Sequence, residues 1–162
     1  MDNPLDTEQA STDTPLFNAL IEFFKTDDWP FIQLEGRSIL SLNFDGKNAK
    51  WTCFAQAREK QQQFIFYSVC PVNAPAEKRA TLAEFITRAN YGLIIGNFEL
   101  DFEDGEIRYK TGLDAEGLTL SPALFKNLVY ANVSMMDQYL PGILSILYSA
   151  VSAREMIDQI EN

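Results

Sequence analysis

Histidine is missing from all 162 residues, which removes the commonest general base, the usual zinc ligand and every histidine-based triad. Cysteine is scarce: Cys53 and Cys70 are the only two, too far apart for a CxxC redox or zinc motif. They are expected as two buried thiols in a reducing compartment, since an inter-strand disulfide would need oxidising surroundings that nothing here suggests. Positive charge is short, with 13 Lys and Arg against 23 Asp and Glu and a net charge of −10. Affinity for phosphate comes from clustered Lys and Arg, so unaided binding to nucleic acid or anionic lipid is not expected. The uncharged run from Gln138 to Ala153 is too short to span a membrane and contains Pro141-Gly142. The first thirteen residues, MDNPLDTEQASTD, lack the positive start and apolar centre of a signal peptide. They are expected to be a disordered acidic tail before a single domain over 14–162, in a cytoplasmic protein.

What is present is ample core material: 46% of the residues are hydrophobic and 12% aromatic. The best-marked element is a hairpin over residues 95–113, IGNFELDFEDGEIRYKTGL. Asp104-Gly105 is a two-residue turn signal. With that apex Phe102 faces Ile107, Asp101 faces Arg108, Leu100 faces Tyr109 and Glu99 faces Lys110. Phe98, Leu100, Phe102, Ile107, Tyr109 and Thr111 then share one face. The other face carries opposed ion pairs worth ~0.2–1 kcal/mol each.

Thr14-Pro15 reads as an N-cap and first helical residue, opening a helix with a wide apolar stripe through Lys25. Strands are expected over 31–35, 38–44, 49–57 and 63–70, paired consecutively and antiparallel. The last of these, QFIFYSVC, is apolar on both faces, which suits a central strand covered on each side. Pro75 opens a second helix to Tyr91, ending in a left-handed cap at Asn90-Tyr91-Gly92. Ser121-Pro122 starts the longest helix, which Pro141-Gly142 should kink or split. Ser152 and Glu155 form a capping box for a last helix. Helix, strands, helix, hairpin and helices amount to an α+β domain, an antiparallel sheet with helices gathered on it.

Three motifs resemble sites and have simpler readings. The acidic tip Asp101, Glu103, Asp104 and Glu106 lacks the sixth-position glycine and twelfth-position glutamate of a calcium loop, so it reads as a solvated, partly paired sheet face. Gly92 and Gly96 are followed by neither Gly-Lys-Ser/Thr nor a helix, and read as a cap and close backbone packing. Phe64, Phe66 and Tyr67 could stack bases only within a basic groove, and the nearest cations are Arg58 and Lys60; they read as core. No nucleophile–base pair can be picked out by spacing, and no cofactor or metal is implied.

The long helix has more to say. From Tyr139 to Val151 its apolar residues spread over roughly 200°, about twice a common core-facing stripe. One helix on one sheet cannot hide all of that, so the surplus means either a deeply buried helix or a surface that meets another chain. Leu144, Tyr148 and Val151 form one edge of the arc, the candidate surface for a protein partner or a homodimer.

Residues 85–109 (FITRANYGLIIGNFELDFEDGEIRY), 121–146 (SPALFKNLVYANVSMMDQYLPGILSI) and 55–69 (AQAREKQQQFIFYSV) resemble the YbjN-domain proteins of bacteria, and most their cyanobacterial branch. The resemblance covers about Pro15 to Glu161. It implies a fold like the type III secretion chaperones, an α/β sandwich in which a curved antiparallel sheet packs against helices. It also implies a chaperone-like or sensory-transduction regulator with no catalytic residues to carry over. The leading expectation is therefore a non-enzymatic protein-binding or regulatory module. The alternative is a small-ligand sensor with a pocket between sheet and helices.

Overall fold

The computed structural model describes residues 14–162; the expected acidic tail lies outside the described residues. In chain order the elements are α1 (Pro15–Thr26), β1 (Phe31–Gln33), β2 (Ile39–Asp45), β3 (Lys50–Arg58), β4 (Gln63–Val69), α2 (Arg79–Gly92), β5 (Asn97–Leu100), β6 (Ile107–Asp114), α3 (Pro122–Tyr148) and α4 (Ala153–Glu161). One turn of 3-10 helix, 76–78, leads into α2. The strands form a single six-stranded sheet in the order β1-β2-β3-β4-β6-β5. Every pair is antiparallel. The expected α+β sandwich is the fold present.

One face of this sheet is the floor of the core. Leu40, Ala55, Phe66 and Thr111 stand side by side across β2, β3, β4 and β6, and the next row is Leu42, Cys53, Ser68, Tyr109 and Phe98. All nine are buried. The helices cover them. Phe24 of α1 meets Phe66 at 6.3 Å between ring centroids, and Phe125 of α3 meets Phe64 edge-on at 5.1 Å. The buried Asn132 of α3 donates to the carbonyls of Phe66 at 2.9 Å and Tyr109 at 3.1 Å, fastening the helix to two strands. α4 then folds back against α2 and α3. Its capping box forms as read from the sequence, Ser152 and Glu155 each serving the other's backbone.

Several expectations change in contact with tertiary packing. The β5–β6 hairpin pairs Leu100 with Ile107 and Glu99 with Arg108, a register two residues from the one expected. Its loop is longer because Asp101 accepts from the Glu103 amide at 2.7 Å and Asp104 from the Glu106 amide at 2.8 Å. These local side-chain turns compete with a tight two-residue turn. Because the shift is even, each strand residue keeps its expected face. Phe102 is the casualty: it lies in the loop, 57% exposed. Gly105 does take a positive φ of +80°, and its carbonyl accepts from the Ala74 amide at 2.8 Å.

Thr14 makes no side-chain cap for α1. Glu59, from the β3–β4 turn, takes that role by accepting from the amides of Leu16 at 2.8 Å and Phe17 at 3.1 Å. Gly92 does not end α2 in a left-handed conformation. The turn there is held instead by Asn90, whose side chain bonds both the amide and the carbonyl of Phe98. α3 is not split: it runs unbroken through Pro141. Proline at 141 leaves the Asp137 carbonyl without its helical donor. Asn48, on the β2–β3 turn, supplies one from its side-chain amide at 2.9 Å. The Asp137 carboxylate meanwhile accepts from the amides of Lys47 and Asn48, each at 3.0 Å. A hairpin tip thus repairs the helix.

Candidate functional site

Antiparallel sheets with one wet face normally alternate apolar inward with polar outward. The outward positions of the middle strands break that rule. Phe54 of β3 and Tyr67 of β4 are cross-strand partners, with Ile65 and Val69 on either side of Tyr67 and Ile39 along β2. All five are half-buried. No helix among the described residues packs on this side, so β4 is covered on one face only, against the expectation of two. The signal was present in the sequence: a strand apolar on both faces is either covered twice or exposes an apolar face.

These side chains floor a shallow depression of about 510 Å³. Arg37, Arg58 and Arg108 rim it, with Glu106 the one acidic residue lining it. Arg108 lies over the Tyr67 ring, its guanidinium carbon 4.4 Å from the centroid, a cation–π arrangement that holds both groups in place. It is also paired with Glu99, Nε to carboxylate at 2.6 Å. Lys110 bonds the other oxygen of the same carboxylate. Burial alone would push the Glu99 acid up, but the hydrogen bonds from Lys110 and Arg108 outweigh it and hold the carboxyl below its usual range.

The other two arginines differ. Arg58 donates to the neutral amide of Gln63 at 2.9 Å. Neither Arg37 nor Arg58 has a carboxylate partner among the described residues. In a chain of net charge −10, two unneutralised guanidinium groups beside an apolar floor are a local reversal of sign. The surface thus has an apolar floor and one cationic end, where the register sets Arg37 beside Arg58.

The edge expected from the long helix lies elsewhere. Leu144 and Val151 are half-buried and pack against the core. Tyr148 is 75% exposed. Much of the surplus arc is absorbed within the chain: Tyr139, Ile143, Ile146 and Leu147 are buried, and Gly142 beside them lies beneath Ile160 of α4 and Phe85 of α2. The acidic hairpin tip is exposed at Asp101, Glu103 and Asp104. Among the described residues no group of three or more His, Cys, Asp or Glu is placed to hold a metal ion, and no helix is long and apolar enough to cross a membrane. Cys53 and Cys70 are free and buried, and burial pushes both thiols up to about 11. The interface between sheet and helices is filled by Phe66, Tyr109, Phe125 and their neighbours. The depression described above is on the opposite side.

The model of a family described as "YbjN: Putative bacterial sensory transduction regulator" matches residues 17–145. No curated protein matches the chain significantly. Among solved structures, the chain is similar to "YbjN, a putative transcription regulator from E. coli", with a TM-score of 0.62 and 12% identity over 80% of this chain and 92% of that one. It is similar to a chain of the HopA1-SchA chaperone–effector complex, with a TM-score of 0.53 and 13% identity over 82% and 98% of the two chains. It also resembles a chain of the ExsC-ExsE complex, with a TM-score of 0.51 and 13% identity over 82% and 96%.

Proposed function

The chain belongs to the YbjN family, and from that footing we propose that it is a non-enzymatic protein-binding module of regulatory role, which takes a partner segment on the outer face of its sheet. The observation that carries the reading is the apolar floor of Phe54, Ile65, Tyr67 and Val69 beside Arg37 and Arg58, two cations with no carboxylate partner among the described residues. The likeness to a chaperone–effector complex supports it through the fold alone. A partner covering the face would remove half-exposed aromatic and branched side chains from water, at roughly 25 cal/mol per Å² of apolar area. Carboxylates on the partner would set the orientation.

A photo-crosslinking residue at position 67 tests this in extract from the native host, with position 126 of α3 as control. Adducts formed from 67 and not from 126 are identified by mass spectrometry, and the purified partner is titrated against wild type and Arg37→Glu/Arg58→Glu. A tenfold or greater loss of affinity at 0.15 M salt is expected, with unchanged far-UV circular dichroism. Equal affinity for both proteins would overturn the reading.

A further inference from the structure

We propose that the acidic segment of this same chain, residues 1–13, lies across the arginine-rimmed face and competes there with the partner segment. The proposal rests on the reading above, that this face is a peptide site, and adds its regulation. Charge is the first observation. Residues 1–13 carry Asp2, Asp6, Glu8 and Asp13 and no Lys or Arg. Arg37 and Arg58 are the rim cations left without a carboxylate partner among the described residues.

Attachment is the second. The amides of Leu16 and Phe17 are fixed to the Glu59 carboxylate, so the described chain begins at the β3–β4 turn. Glu59 is the residue next to Arg58, which lines the depression. The segment therefore starts at the rim, although it must pass round the end of the sheet to reach the outer face. From Thr14 back to Leu5 an extended chain reaches about 30 Å. Crossing a seven-residue strand takes only roughly 20–25 Å. The third observation is pattern: Pro4-Leu5 sits between Asp2 and Asp6, an apolar pair flanked by carboxylates. Arg37 and Arg58 stand side by side at the end of the depression nearest the β3–β4 turn, with Ile65 and Tyr67 farther along the floor, so the carboxylates can meet the cations while Pro4-Leu5 lies towards the apolar floor.

Tethering makes modest affinity sufficient. A short linker holds the segment at an effective concentration of about millimolar, so an intrinsic dissociation constant near that value already half-fills the face. A partner then binds by displacing it, and anything that neutralises the segment's carboxylates raises the partner's apparent affinity.

Paramagnetic relaxation in the full chain tests this. Thr7→Cys is labelled with a nitroxide; Cys53 and Cys70 are buried with raised thiol pKa values, so labelling at neutral pH is confined to position 7. Amide signals of Phe54, Ile65 and Tyr67 are expected to fall below half their diamagnetic intensity, while those of Arg154 and Asp158 on α4 keep theirs. Raising salt from 0.05 to 0.5 M, or introducing Arg37→Glu/Arg58→Glu, should restore the intensities. Absent or uniform broadening overturns the proposal. So does broadening that appears only when isotope-labelled chains without nitroxide are mixed with nitroxide-bearing ones, which would make a second copy the occupant. If the face is unbroadened while partner affinity still depends on Arg37 and Arg58, only the segment's role falls and the partner site stands.

Discussion

Gly105→Ala is the substitution whose cost can be worked most directly from the structure. Gly105 sits at φ +80°, where an L side chain is strained by about 1–2 kcal/mol. A Cβ there would also fall far inside contact distance of the Ala74 carbonyl. That oxygen is not free to yield, because the Ala74 amide donates to the Gly105 carbonyl at 2.8 Å and Arg79 Nε donates to the Ala74 carbonyl at 3.0 Å. Overpacking of this kind costs a further ~1–3 kcal/mol. Gly117→Ala provides the control: φ is +73° but nothing lies within 4 Å of a built Cβ. It carries the backbone strain and the unfolded-state entropy change without the collision, so the difference between the two variants isolates the contact. With a urea m-value of about 2 kcal/mol/M, that difference is a midpoint about 0.5–1.5 M lower for Gly105→Ala. Unfolding followed by tryptophan fluorescence measures it. Equal midpoints would refute the placement of the hairpin tip against Ala74.

Glu59→Ala should cost about 1 kcal/mol, read by the same urea titration, because α1 loses the side-chain acceptor of its first amides while the Thr14 side chain caps none of them. A Thr14→Ala change should leave the midpoint within a few tenths of a kcal/mol; the opposite ranking would return the cap to Thr14. The buried thiols set an alkaline limit. Their folded pKa values of about 11 lie above the reference value of 9.0, so their contribution is fully present at pH 7 and is lost as pH rises from about 9 to about 11. On the order of 2–3 kcal/mol per thiol is at stake. Urea midpoints at pH 7, 9 and 10.5 should fall in that order, and Cys53→Ala/Cys70→Ala should flatten the slope.

Much of the fold was legible because it is written in local patterns. The apolar stripe from Leu16 to Phe24, Pro122 at the start of α3 and the Ser152–Glu155 box each depend on residues within a turn or two of one another. Strand alternation on β2 and β3 has the same local origin. Even the misjudged hairpin kept its faces, since a shift of two preserves a period of two.

Three features needed the folded chain, and each turns on a partner far away in sequence. The cap of α1 comes from Glu59, 43 residues from Leu16. Continuity of α3 through Pro141 depends on Asn48, 89 residues from the carbonyl it satisfies. The candidate site is the third. The residues of β4 said that both its faces were apolar, and local patterning cannot tell a face that helices will cover from one they will leave open. That was decided by where α1, α2 and α3 pack, all on the side of Phe66 and Tyr109. Amphipathic stripes bind whichever apolar surface lets them bury most together. The sequence by itself determined which side chains share a face; only the tertiary structure decided which face meets water.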